Sequence, residues 1–329
     1  MGDLLEQRRQ YVDARLSDLG RLLADAERLA GDKACVYLTG SFGRGEASAF
    51  SDLDVFIVGR GSDDRPELRR LDQICLKAEL IDATRQCGFQ DFSGDGQYLE
   101  HHTFERLLSS LGRSEDDARN TFTARLLLLL ESRPLLGPAV YDDVIADVIE
   151  RYWRDYEDHM REFLPAFLVN DILRLWRTFC VNYEASTQTE PLEKKAKRRL
   201  KNYKLKHSRL LTCYSALAYL LSVHRSKATV TPEDAKAMVA LVPTARLESI
   251  GAQHEGTVIQ EQAARLLDRY EGFLEETAQE EETLLERFTD REPHRRYAER
   301  AREFGDQVFS LLRALGDGPG HRFYRLLVV

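Results

Sequence analysis

Two short apolar runs, Val36–Leu38 and Val55–Val58, bracket a loop that carries Gly40-Ser41, Gly43-Arg44-Gly45 and Ser51-Asp52-Leu53-Asp54. Runs rich in β-branched and aromatic residues, separated by glycine and serine, read as two strands joined through a turn and a short helix start. Side chains along a strand alternate faces, so Asp52 and Asp54 point one way while Leu53 and Val55 point into the core. Two carboxylates so placed repel by about 3 kcal/mol at about 5 Å with an effective dielectric of about 20. The patch calls for a cation or a proton.

Hard oxygen ligands with open positions suit Mg2+, or Mn2+ in its place, which keeps waters and picks up substrate phosphates. Ahead of the pair, Gly40 lets the backbone approach a ligand closely, and Ser41 offers a hydroxyl and an N–H at the start of a helix. A phosphate cradle followed by a metal-binding acidic pair describes an enzyme that handles nucleoside triphosphates, NTP or dNTP. A lone Asp-x-Asp at a strand end is more often a solvated turn; the Gly-Ser turn and the flanking strands tip the reading toward catalysis.

Gly40-Ser41, Gly43-Arg44-Gly45 and Ser51-Asp52-Leu53-Asp54 resemble the signature of the DNA-polymerase-beta-like nucleotidyltransferase superfamily. The form Gly-Ser-x-Gly-Arg-Gly-Glu with Ser-Asp-x-Asp is most similar to its bacterial branch of uridylyltransferases that modify nitrogen-regulatory protein. The resemblance implies a palm-like mixed sheet with flanking helices, two metal ions held by three carboxylates, and transfer of a nucleotidyl group to an acceptor hydroxyl. It assigns Asp52 and Asp54 to the metals, and Gly40 and Ser41 to the terminal phosphates. Arg44 either supports those phosphates or braces the turn. The third carboxylate should come from the next strand, where Glu100 is the first candidate, with Asp95 and Asp91 behind it.

A chain of 329 residues is long enough for two domains with separate cores. With 31% charged and 43% apolar residues it is an ordinary folded protein, and a net charge of -8 argues against a uniformly basic nucleic-acid coat. The five cysteines include no Cys-x-x-Cys pair and read as reduced thiols, and the eight histidines do not fall at zinc spacing with them. The stretch Met1–Arg9 lacks the apolar core of a signal peptide, and the longest apolar run, Leu126–Leu130, is far too short to span a bilayer. A cytoplasmic protein without membrane partners is expected.

Residues 3–30 place Leu5, Val12, Leu16, Leu19 and Leu23 on one helical stripe. A second helix should open near Pro66 and run to Gln86 with Leu68, Leu71, Cys75, Leu76 and Ile81 inward. Gln97–His102 reads as a third strand, and Ala118–Ser132 as a helix buried on most sides. The Pro-Gly cluster at Arg133–Pro138 marks the expected boundary between a nucleotidyltransferase domain, residues 1–137, and a helical domain, residues 138–329. The fold class is therefore α+β, a small mixed-sheet domain followed by an all-helical one.

Within the helical part, Asp171, Arg174 and Arg177 form either a solvated charge ladder or a face toward nucleotide. Lys194–Arg209 is basic at most positions, with one aromatic residue, Tyr203. Such a run in an acidic protein makes a local positive field that draws phosphates, with Lys201, Lys204 and Arg209 as candidate contacts; a solvated face is the plainer reading. Thr231-Pro232-Glu233-Asp234 reads as a capped helix start. The tail, His321–Val329, reads as an apolar strand-like end that docks on the core or on another copy.

Three functions follow. The first is transfer to a nucleic-acid or oligonucleotide end, including synthesis of a nucleotide signal as in antiphage defence. The second is transfer to a protein side chain, as the uridylyltransferase resemblance implies, although the His-Asp metal spacing of those enzymes' appended hydrolase domain is absent. The third is a nucleotide-binding regulatory module with a dead site.

Overall fold

The computed structural model describes residues 3–92, 99–113, 115–118, 120–188, 194–289 and 291–328. The chain divides into two compact units, Gly2–Tyr152 and Trp153–Val329, one helix beyond the Pro-Gly break at 133–138.

The first unit runs α1 (Asp3–Leu22), α2 (Ala24–Ala30), β1 (Ala34–Thr39), α3 (Gly40–Gly43), β2 (Asp54–Gly59), α4 (Arg70–Gln86), β3 (His101–Thr103), α5 (Phe104–Ser109), α6 (Glu115–Ala118), α7 (Thr121–Glu131), β4 (Arg133–Leu136) and α8 (Pro138–Tyr152). Its sheet has the order β3-β2-β1-β4. β1 lies antiparallel to β2, from Ala34 opposite Gly59 to Thr39 opposite Asp54, and antiparallel to β4. β3 lies parallel to β2, with Ile57 opposite His101. The sheet is therefore mixed, as the α+β reading requires.

One face of the sheet carries Val36, Leu38, Val55 and Ile57, packed with Leu19, Ala26, Leu76 and Leu80 of α1, α2 and α4, and with Leu23 between α1 and α2, in one buried core. Leu53 joins that core, so the alternation read from the sequence holds on its apolar side. On the other face Tyr37 stacks on Phe56 at 5.4 Å between ring centroids and donates its hydroxyl to the Ala124 carbonyl of α7 at 3.0 Å. Asp54 shares the Phe56 face.

Several details depart from the sequence reading. The N-terminal helix is two helices, and α4 begins at Arg70 rather than near Pro66. It buries Leu76, Leu80 and Ala83, leaving Leu71 and Cys75 outside. The Pro-Gly break contains β4, an edge strand; Pro134 lacks an N–H and is tolerated there.

A buried ion pair staples the second half of this unit. Arg125 of α7 and Asp116 of α6 are both fully buried, and the guanidinium also donates to the Leu107 carbonyl at 2.9 Å and to the Tyr152 hydroxyl at 3.3 Å. Burial alone would pull the Arg125 pKa down, but the bonds to Asp116 and Tyr152 hold it above the ordinary value.

The second unit is helical: α9 (Tyr156–His159), α10 (Ala166–Gln188), α11 (Lys195–Lys204), a π-helical turn (Leu205–Arg209), α12 (Leu210–Lys227), α13 (Pro232–Ala240), α14 (Pro243–Gln253), α15 (Val258–Thr277), α16 (Glu281–Thr289), α17 (Arg291–Gly316) and α18 (His321–Leu326). Buried nearly throughout its length, α12 is packed by α10, α14 and α17. Thr231 and Asp234 form a reciprocal capping box at the start of α13. The tail is the helix α18 rather than a strand, anchored by the fully buried Phe323. No helix among the described residues is long and apolar enough to cross a membrane.

Candidate active site

The site grows from the end of the β1–β2 pair. Thr39 and Asp54 are the last partners in that register, and the chain between them makes α3 and the loop that returns to Asp54. Gly40 has φ +64°, a conformation that side chains disfavour, and a β-carbon there would overlap the Asp54 carboxylate. The positive φ is what calls for glycine here, and a larger residue would also displace the Asp54 carboxylate. Asp54 is half-buried, Asp52 is exposed in the loop just ahead of β2, and Ser41 is half-buried at the second position of α3.

What holds the glycine turn is a buried carboxylate from α7. Glu131 accepts the Gly40 amide N–H at 3.1 Å and the Arg44 guanidinium at 2.8 Å. Arg44 also donates to Glu46, and all three side chains are almost wholly buried. Arg44 therefore spans two carboxylates inside the protein and braces the turn. Gly43 completes the brace, since a β-carbon there would overlap the main-chain carbonyls of Glu131 and Leu38.

Glu131 escaped the sequence reading. Its signal was a lone carboxylate closing the run Leu126–Leu130, where a buried charge must find a partner. Its partners lie far away in sequence, so no local pattern names them.

The third carboxylate is not assembled from the described residues. Glu100 lies just ahead of β3 with its side chain 54% exposed and accepts from Arg106 at 3.4 Å. β3 begins pairing at His101 against Ile57, beyond Asp54 along β2, which sets Glu100 past the level of Asp54. Asp91 is exposed and paired with Arg85 at 2.7 Å. Asp95 lies outside the described residues. No group of three His, Cys, Asp or Glu side chains among the described residues is arranged to hold a metal.

Lys201 and Lys204 belong to α11 of the helical unit, are exposed, and make no ion pair with any described residue. Arg209 lies over the Phe179 ring at 5.2 Å, and Arg174 pairs with Asp171 at 3.8 Å.

Two consequences can be measured. Gly40→Ala should destabilise the first unit by about 1–3 kcal/mol and abolish any reaction that uses Asp54, read by urea unfolding and by product formation. The second concerns His101 and His102, whose pKa values are lowered to about 4 by burial; each has a buried ring nitrogen with no hydrogen-bond partner among the described residues. Protonation is then tighter in the unfolded chain, with a pKa of about 6.5. Stability is full above that value and falls as pH drops toward 4. For His102, which is 1% exposed, the loss should be on the order of 1–3 kcal/mol. His102→Phe should reduce the pH dependence of the urea midpoint between pH 7 and 4.5, the remainder including the share of His101.

Residues 19–87, which contain β1, the glycine turn, both aspartates and α4, match a family model described as a nucleotidyltransferase domain. No curated protein and no solved structure matches the chain. The match supports a transferase that handles a nucleotide. It is to nucleotidyltransferase domains at large and carries no sign of the uridylyltransferase branch.

Proposed function

We propose that the chain is a divalent-cation-dependent nucleotidyltransferase that moves a nucleotidyl group from an NTP or dNTP to an acceptor hydroxyl, with a nucleic-acid or oligonucleotide end as the acceptor. The observation that carries this reading is the bare α-carbon of Gly40 against the Asp54 carboxylate, held there by Glu131. The glycine thereby lets the turn close directly onto the Asp54 carboxylate, beside Asp52 and the Ser41 hydroxyl.

The donor set fits Mg2+, which is commonly bound through one or two carboxylates and completes its shell with water and substrate phosphates. Asp52 and Asp54 would hold it, and when bound it neutralises phosphate charge and lowers the pKa of a bound hydroxyl. In the reaction the acceptor oxygen forms a bond to the α-phosphorus as the bond from that phosphorus to the bridging oxygen of pyrophosphate breaks. The hydroxyl proton leaves to solvent or to a carboxylate of the site. Ser41 offers its hydroxyl to the terminal phosphates, and Arg44 works from behind by fixing the turn. Lys201 and Lys204 give the helical unit a local positive field of its own that draws phosphates.

One observation favours a second reading, a nucleotide-binding module without catalysis: the first-choice third carboxylate, Glu100, is exposed and engaged with Arg106. A panel of labelled NTPs and dNTPs with Mg2+, offered a single-stranded oligonucleotide, a protein acceptor or none, separates the readings. Label in an extended oligonucleotide supports the proposal, and label on protein moves it to the protein-modifying class. Nucleotide binding by calorimetry without any product favours the inactive module.

A further inference from the structure

The helical unit contains a small cleft of about 40 Å3, open to solvent, between α11 with its π-turn and α16–α17. Tyr203 and Phe288 form its buried floor, Tyr297 is half-buried at its wall, and Arg199, Asn202 and Lys206 line its edge. Tyr297 stacks on Phe288 with centroids 4.4 Å apart and planes 13° apart, so the pair presents a supported aromatic surface.

The charges around the cleft are uneven. Lys195, Arg199, Asn202 and Lys206 follow one another at helical spacing along the face that borders the cleft, whereas Lys194, Lys197, Lys201 and Lys204 follow on a second stripe well round the helix from it. From Lys195 to Lys206 the helix rises roughly 16 Å, long enough for more than one phosphate. Lys197 pairs with Glu281 at 3.0 Å, whereas Lys194, Lys195, Lys201, Lys204 and Lys206 pair with no described residue. The nearby Glu276 is already engaged by Tyr203 and Arg300.

The π-turn at Leu205–Arg209 contributes to this arrangement. Its wider winding buries His207, stacked on Phe273 at 4.6 Å, while Lys206 remains exposed at the rim of the cleft. Such turns are frequent at functional sites.

From this juxtaposition we infer that the cleft and the bordering stripe of Lys195, Arg199 and Lys206 form a binding site for single-stranded nucleic acid, with a base against Tyr297, its edge near Asn202, and the backbone along that stripe. Aromatic platforms beside basic grooves are how single strands are held without strict sequence preference. A duplex hides its base faces and would have only the lysines to meet. The inference names the acceptor class of the proposed transferase and rests on that reading for the acceptor role, but binding itself does not require catalysis.

The test therefore uses the full chain carrying Asp52→Asn and Asp54→Asn beside the unsubstituted protein. Fluorescence anisotropy is followed with a labelled single-stranded oligonucleotide and with a duplex of the same length, across a salt series. Both proteins should bind the single strand more tightly than the duplex, with affinity falling as salt rises. Tyr297→Ala should weaken binding about 5- to 100-fold, and Tyr297→Phe, which keeps the ring on Phe288, should retain it. Lys206→Gln should weaken binding and make the logarithmic salt slope shallower by about 0.7. Absence of binding at low salt, equal binding to duplex, or indifference to both Tyr297→Ala and Lys206→Gln in folded protein would overturn the inference. So would complete displacement by a free nucleoside triphosphate at concentrations where an unlabelled oligonucleotide does not compete.

Discussion

Replacing Asp54 by asparagine should lower nucleotidyl transfer by a factor on the order of 10³ or more while leaving the fold in place. Asparagine keeps the shape of the side chain beside Gly40 but removes the charge that a divalent cation and a triphosphate require. Because Asp54 is only half-buried at the first position of β2, the thermal midpoint should move by a few degrees at most. Asp52→Asn should behave similarly with a smaller change in stability, since Asp52 is exposed in the loop. The measurement is initial rate against nucleotide concentration for each variant, beside its melting curve. Rates within tenfold of the unsubstituted protein would remove these aspartates from the chemistry.

The largest effect on stability is expected at Arg125 and Asp116. Both are fully buried, and Asp116 also accepts from Ser110 at 2.9 Å and from Thr121 at 2.8 Å. Removing one partner leaves the other as an uncompensated charge in the protein interior. Asp116→Asn or Arg125→Met should therefore cost about 3–5 kcal/mol. Against a typical total of about 5–15 kcal/mol, either change should bring the first unit close to unfolding at moderate temperature. The double variant Arg125→Met/Asp116→Asn should cost clearly less than the sum of two single losses, because it leaves no orphaned charge. Urea unfolding of the four proteins reads the coupling directly, and simple additivity would mean that the pair does not act as a unit.

The elements visible in the sequence were those whose cause is local. The strand pair around the glycine turn announces itself through apolar alternation and the Gly-Ser break, and Leu53 and Val55 take the core side as period two requires. Thr231 and Asp234 form their capping box within four residues of chain. By contrast, β4 is short, carries Pro134 and exists only because β1 offers it an edge, so it read as a break. The tail is rich in residues that favour strands, yet Phe323 finds a buried position that a helix delivers. Tertiary packing overrode local preference there.

The site divides in the same way. Gly40 opens α3 and Asp54 opens β2, with Asp52 in the short connection between them, so their proximity has a local cause. Glu131 meets Gly40 and Arg44 only after the sheet has formed, across most of the length of the unit. The third carboxylate depends on the register of β3, which is set by pairing with β2 rather than by any motif in Gln97–His102. A position chosen from the middle of an expected strand accordingly fell on Glu100, which the structure places ahead of the strand and beside Arg106.

The most direct measurement is a pair of reactions with the same nucleoside triphosphate, labelled on the α-phosphorus in one and on the γ-phosphorus in the other, with Mg2+ and a single-stranded acceptor. Attack at the α-phosphorus predicts α-label in the product, γ-label released as pyrophosphate, and neither outcome with Asp52→Asn/Asp54→Asn. Appearance of the γ-label in product, or failure of every NTP and dNTP to transfer α-label with either Mg2+ or Mn2+, would contradict it.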